Sequence, residues 1–381
     1  MTWRKIQAWY TKIPYSLKIA VLVALVAKLA VFIVGYSTAY LGAAAAGGST
    51  QPFGLFVGMF DKWDAPHYIY LAQHWYTNQG DAANLIVFFP FYPILIRLIT
   101  FNFSYTSLSA LIVANVASII AVVYLFKLVK LDYSDSVAKK AVLFLVVFPT
   151  AYFMSAPYTE SIFLALAIAS LYYARYGRWA LAASLGFFAS LTRITGLILV
   201  PVLAVEYFHQ KNWKLKKADL RLLWLSLPAI GFLVYLGINF EVTGNLFAFI
   251  RIQDVHFYES FQPLAGWISA LSWASNSSYP SSLTIGYAEI VFAVFSYLMI
   301  VLAYMVKLRP SYLVYMLLAW MVALAPGFWI SVPRYILCMF PLFLALGLVS
   351  TKKSVTIAIV AVFGAGLLFF TWLFATGAWA F

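Results

Sequence analysis

The sequence predicts an all-α polytopic membrane protein of about 11 transmembrane helices, and three observations carry that expectation. Hydrophobic residues make up 64% of the 381-residue chain and charged residues 10%, a balance that no soluble domain of this length can bury. Apolar stretches of roughly twenty residues recur, each long enough to cross a hydrocarbon core of about 30 Å. Short basic clusters separate them: Arg4/Lys5, Lys127/Lys130/Lys139/Lys140, Arg175/Arg178, Lys211 to Arg221, Lys307/Arg309 and Lys352/Lys353. That is the pattern of cytoplasmic loops under the positive-inside rule. The net charge of +13 therefore reads as topology. No basic stripe interleaves with exposed stacking aromatics, so nucleic acid is not an expected partner.

Grounding each basic cluster in the cytoplasm orders the elements of one membrane domain, 1–381. Span 1 covers about 17–40 and reads as retained, because no small-residue cleavage site follows its apolar run. A first outer loop takes up about 41–104. Spans 2, 3 and 4 follow at about 105–128, 140–157 and 159–174. Spans 5 and 6 share about 179–208 and break near Thr192-Arg193-Ile194-Thr195-Gly196. Span 7 lies near 222–240, and a second outer loop fills about 241–284. Spans 8 to 11 fall near 285–306, 311–330, 335–350 and 354–378. Segment 86–101 is apolar enough to be a further span, but that would put the later basic clusters outside. Its two prolines also oppose a straight helix, so it reads as lying along the outer surface.

The charge census supports this arrangement. All but six of the 25 Lys and Arg are cytoplasmic, the exceptions being Lys28, Lys62, Arg97, Arg193, Arg251 and Arg334. Lys28, inside span 1, reads as a snorkelling side chain. Of the twelve carboxylates, Asp61, Asp64, Asp81, Glu160, Glu241, Asp254, Glu259 and Glu289 fall at the outer side. Asn102-Phe103-Ser104 and Asn276-Ser277-Ser278 are formal glycosylation sequons there. The single cysteine, Cys338, cannot form an internal disulfide and reads as a small buried hydrophobe.

Carboxylates are scarce in this chain, yet two stand three residues apart in Phe60-Asp61-Lys62-Trp63-Asp64-Ala65-Pro66-His67. Asp64-Ala65-Pro66 has the form of a helix start, with Asp64 as the cap. The helix would place His67, Tyr70/Leu71 and His74 along one face, and on that account the polar residues decorate an interfacial helix. The chemical account notes that the acids follow span 1 directly, at lipid head-group level. A carboxylate there can act as a base toward a hydroxyl while cations hold a phosphate. Arg193, Arg251 and Arg334 are candidate cations, and a neutral His67 or His74 can donate a hydrogen bond. Arg193 reads equally as an internal salt-bridge partner of Glu160, itself placed to cap a helix or orient the site.

These residues carry a resemblance. Lys62-Trp63-Asp64-Ala65-Pro66-His67-Tyr68, Ala72-Gln73-His74 and Phe88-Phe89-Pro90-Phe91-Tyr92-Pro93 resemble the first luminal loop of the PIG-V family of membrane mannosyltransferases, of the GT-C class. Ala156-Pro157-Tyr158-Thr159-Glu160-Ser161 and Thr192-Arg193-Ile194-Thr195-Gly196-Leu197 are similar to two later segments of that family, and Pro333-Arg334-Tyr335 with Phe340-Pro341-Leu342 to its C-terminal part. Together the windows touch about a third of the chain, and Thr195 stands where the family commonly has asparagine. The resemblance implies a GT-C-type bundle with surface-lying helices in the first outer loop and an active site at the non-cytoplasmic face. It further implies a polyprenyl (dolichyl)-phosphate-mannose donor, a glycolipid or glycan acceptor, and inverting displacement. Asp64 is then the general base by its match to the family's Trp-Asp position, with Asp61 the alternative that chemistry alone does not separate from it. Arg193 and Arg334, assisted by His67, would hold the donor phosphate, and the aromatics of 86–93 would form a shelf for the prenyl tail. His67 and His74 with nearby aspartates have the composition of a cation site, but the resemblance implies no metal and no cofactor. No Gly-rich phosphate cradle follows a strand, which argues against a nucleotide-sugar donor. Two other functions fit the same composition: a transporter or flippase of a lipid-linked saccharide, which predicts charges near the midplane, and a GT-C transferase acting on protein acceptors.

Overall fold

The structure, a computed structural model, describes residues 13–100, 105–257, 260–263 and 265–381. Arg4/Lys5, the Asn102 sequon and Glu259 lie outside the described residues. Long lipid-facing helices surround shorter buried ones. The first helix, α1 (Tyr15–Ala45), turns Ala20, Ala24, Val31 and Gly35 inward and leaves Leu22, Leu25, Val26, Leu29 and Ile33 exposed. Small residues permit close approach between helices in lipid, where large apolar side chains are already at home. At Gly35 the ring of Phe60 occupies the space a Cβ would need.

The first loop region folds into short helices α2 (Pro52–Gly58), α3 (Asp64–His74) and α4 (Phe91–Ile99), with a 3₁₀ segment at Asp81–Val87. α5 (Thr106–Val129) and α6 (Asp135–Val146) pack with α1. After a 3₁₀ turn at Ala151–Met154, α7 (Glu160–Arg175) enters the centre of the bundle, and its residues are nearly all buried. α8 (Trp179–Ser190) and α9 (Leu199–Gln210) flank the expected break, which contains the 3₁₀ segment Ile194–Ile198. α10 (Leu227–Thr243) follows a 3₁₀ segment at Leu220–Ser226 and ends at Gly244 in the left-handed region, a conformation glycine adopts without steric penalty. The second loop region forms α11 (Ala248–Phe257) and α12 (Ala265–Asn276), and the chain closes with α13 (Ala288–Met305), α14 (Pro310–Leu324), α15 (Val332–Leu337), α16 (Pro341–Val349) and α17 (Lys353–Ala375).

Five described helices have the length and hydropathy of a membrane crossing: 15–45, 106–129, 220–243, 282–305 and 353–375. The multi-pass character follows from these; the count of 11 full spans does not. The expected span 140–157 stops at Val146, ahead of Pro149 and the turn at 151–154, and 335–350 is interrupted before Pro341. Proline removes a backbone donor and clashes with the preceding turn, so helices end before it. The described part of segment 86–101 is not one helix either: the 3₁₀ segment Asp81–Val87 and α4 meet at 109° across Pro90.

Lys28 does not snorkel. Its ammonium donates to the Met154 carbonyl (2.7 Å), Asn115 Oδ1 (2.9 Å) and Ser155 Oγ (3.2 Å). Asn115 in turn donates to the Ser155 carbonyl at 2.9 Å. A side chain that satisfies its donors locally gains nothing by extending to the interface. Lys28 thereby fixes the turn that leads into α7.

Candidate active site at the N-terminal end of α7

Asp64 occupies the first turn of α3 and is not its cap. The N-cap is Trp63, whose φ of 55° is left-handed, and no side chain caps the helix. The Asp64 carboxylate is drawn elsewhere: Arg334 Nη1 donates to its Oδ2 at 2.5 Å. Tyr158 pins the same turn, its hydroxyl accepting from the Asp64 N–H (3.2 Å) and donating to the Lys62 carbonyl (2.8 Å). Trp63 meets the Trp379 ring edge-on at 4.8 Å.

Four charged residues from distant parts of the chain converge here. Arg334 Nε donates to Glu160 Oε1, and Arg193 Nη1 donates to the same oxygen and to Thr159 Oγ1 (3.0 Å). Glu160 is fully buried, and its Oε2 has no hydrogen-bond partner among the described residues. The Glu160–Arg193 ion pair anticipated from sequence is therefore present, with Arg334 as a third member. Aromatic faces complete the setting: Arg334 lies 4.7 Å from the Tyr158 ring centroid and 5.2 Å from that of Phe153, and Arg193 lies 4.9 Å from that of Tyr335. Cations are attracted to such faces, more strongly where water is excluded.

The segment carrying Arg334 is held from two sides. Glu289 Oε2 accepts from the Val332 N–H at 2.8 Å, and Thr150 Oγ1 donates to the Pro333 carbonyl at 3.0 Å. The break carrying Arg193 depends on Gly196, where a Cβ would fall 2.3 Å from the Ser190 nitrogen. The glycine of that motif thus permits backbone contact between the break and α8.

Asp64, Arg193 and Arg334 line a cavity of about 150 Å³, together with Thr159, Tyr68 and Tyr335 among others. The Asp64 side chain is 24% exposed, and its Oδ1 has no hydrogen-bond partner among the described residues. Phe88 and Phe89 form part of the wall, whereas Tyr92 is buried and donates to the Ala110 carbonyl at 2.9 Å. Beside this cavity lies a wholly apolar groove of about 530 Å³ formed by Trp273, Ile285, Phe328, Ile330 and Trp379, the last two shared with the cavity. The expected apolar shelf at 86–93 is thus only partly at this site, and the larger apolar surface comes from the second loop region and the C-terminal part.

The remaining candidates separate from the cluster. Asp61 does not line the cavity; its Oδ1 is buried without a partner among the described residues, and burial holds the carboxyl above the usual carboxylate range, with Lys62 opposing. His67 is half-buried 5.1 Å from the Phe88 ring, and burial pushes it below the ordinary histidine value against the pull of Asp64. His74 is exposed and stacks on Tyr70 at 4.4 Å. Arg251 lines a different cavity. Among the described residues no group of three or more His, Cys, Asp and Glu could hold a metal ion. Tyr158 and Thr159 were visible in the sequence only as members of a motif, and nothing marked Gln253 or Trp379, which also line the site.

No family model matches the chain, and no curated protein matches it. Among solved structures it is similar to an oligosaccharyltransferase of Archaeoglobus fulgidus in the apo form, with 12% identity and a TM-score of 0.46, covering 97% of this chain and 57% of that one. The chain thus spans little more than half the length of that protein.

Proposed function

We propose that this protein transfers a sugar, mannose by the motif resemblance, from a polyprenyl-phosphate carrier to a hydroxyl of a glycolipid or glycan acceptor at the non-cytoplasmic membrane face. The observation that carries the reading is Asp64: Arg334 anchors one of its carboxylate oxygens, and the residue is partly exposed and lines a cavity that both arginines also line. The adjoining apolar groove suits an isoprenoid tail, and the polar cavity suits its phosphate and sugar.

In the proposed step the acceptor hydroxyl gives its proton to Asp64 Oδ1. Its oxygen forms a bond to the anomeric carbon from the face opposite the phosphate. The bond from that carbon to the phosphate oxygen breaks, and the electron pair stays on the lipid phosphate. Asp64, Glu160, Arg193 and Arg334 together carry no net charge before the step. Proton uptake by Asp64 leaves the group with one net positive charge as the departing phosphate gains one negative charge. Each guanidinium has five N–H donors, and the contacts above use two N–H groups of Arg334, so donors remain for the phosphate. Donors fixed where charge develops stabilise the transition state without reorganising. As proposed, guanidinium groups hold the phosphate and no metal or cofactor is invoked.

The test is transfer from radiolabelled polyprenyl-phosphate mannose by purified protein in lipid nanodiscs, with glycolipid and peptide acceptors compared. Asp64→Asn is expected to lower the rate by roughly 10²–10⁴-fold in protein that still folds, with a lower melting temperature because the buried Arg334 loses an ionic partner. Undiminished transfer by a folded Asp64→Asn protein overturns the assignment.

A further inference from the structure

The second loop region builds a cavity of about 550 Å³ that the proposed step does not use. Its polar lining comes from both loop regions: Asn78 and Asn84 from the first, and Thr243, Asn245, Arg251 and His256 from the second. The amides of Asn78 and Asn84 can both donate and accept, as a polyhydroxylated ligand requires, while the Thr243 hydroxyl and Asn245 Oδ1 are bonded to nearby backbone; the volume falls in the range of small-molecule sites. No described carboxylate forms an ion pair with Arg251, and its side chain is exposed.

α11 separates this cavity from the candidate active site. At about 100° per residue, Ala248, Arg251, Ile252, Val255 and His256 share one face of the helix, and these line the second cavity. Gln253 and Phe257 point to the other side and line the Asp64 cavity. The two cavities are thus about one helix diameter apart, on the order of 10 Å. A ligand passing over the end of α11 would have its far part beside Arg251 and its reacting hydroxyl near Asp64.

We propose, resting on the transferase reading above, that the second cavity binds the saccharide of the acceptor and that this saccharide carries an anionic group, a phosphate or carboxylate, paired with Arg251. Guanidinium is the side chain best matched to such a group because it donates two parallel hydrogen bonds. The amide side chains would select for the sugar and Arg251 for its charge.

Binding can be read without catalysis. Mannose 6-phosphate, mannose and inorganic phosphate are titrated against full-length protein in nanodiscs by isothermal titration calorimetry, for the parent, Arg251→Gln, Arg251→Lys and Asp64→Asn. Mannose 6-phosphate is expected to bind at least tenfold more tightly than either other probe. Arg251→Gln should remove that preference, Arg251→Lys should restore it in part, and Asp64→Asn should leave it intact. Equal binding of all three probes, or a preference that survives Arg251→Gln, overturns the proposal. Binding of phosphate as tight as that of mannose 6-phosphate overturns its saccharide half. Intact binding in a protein that transfers no sugar supports the saccharide site while sinking the transferase reading, so the two failures are distinguishable.

Discussion

Glu160 is the residue on which the charged cluster turns, because one of its oxygens accepts from two guanidinium groups inside the bundle. Removing one member of a buried ion pair typically costs about 3–5 kcal/mol, since the partners are left uncompensated. Glu160→Gln is therefore expected to lower stability by about that amount in denaturant titrations in detergent; a loss under about 1 kcal/mol would contradict the geometry. Asp61 gives a prediction of opposite character. Burial keeps its carboxyl protonated at pH values where the unfolded chain has already released the proton. The folded state then binds more protons than the unfolded one, so this group's contribution to stability falls as pH rises above the ordinary carboxylate range. Asp61→Asn should gain in melting temperature relative to the parent as pH rises above the ordinary carboxylate range of about 4, and a constant difference would contradict the burial. The sequence marked these acids by their rarity alone. The motif resemblance preferred Asp64, but chemistry alone could not separate it from Asp61, because Arg334, which pairs with Asp64, is 270 positions away.

Among the elements, the break between α8 and α9 shows what a motif can and cannot reveal. Thr192-Arg193-Ile194-Thr195-Gly196 was legible as an interruption, since arginine and glycine do not belong in the middle of a span. The reason for the glycine became visible only with α8 packed against it. Gly196→Ala forces backbone atoms of Ala189 and Ser190 apart; such overpacking typically costs about 1–3 kcal/mol and here also displaces Arg193. At least a tenfold loss of sugar transfer and a lower melting temperature are expected. Gly237→Ala on α10, where a Cβ meets nothing within 4 Å, serves as the control and should leave both unchanged. Proline explains two of the errors in span boundaries: Pro149 and Pro341 each mark a place where hydropathy continued and the helix did not, as the prolines of 86–101 had already indicated for that segment.

At the scale of the whole molecule, α7 joins two clusters of charged residues. Glu160 at its first residue belongs to the cluster with Asp64, and Arg175 at its last pairs with Asp132 and lies beside Glu206. Glu206 is fully buried and accepts from Arg309, Ser311 and Gln210. All four carboxylates assigned to the cytoplasmic side from sequence, Asp132, Asp135, Glu206 and Asp219, have basic partners. Composition alone suggested two such layers; the pairing within each needed the packed bundle. Glu206→Gln is expected to lower the melting temperature as much as Glu160→Gln does while leaving the KM for the lipid donor unchanged. A raised KM would mean that the two layers communicate.

The length of α7 sets one more condition. Its 16 residues hold the two charged layers only about 22 Å apart, whereas acyl chains fill about 30 Å. If α7 is centred in the bilayer, the carboxylate and guanidinium groups at its start lie about 4 Å below the plane where glycerol ester groups begin. A carrier's phosphate would then descend to meet them while its isoprenoid stays dissolved among the fatty acids, and no part of that tail would need to be lifted into water.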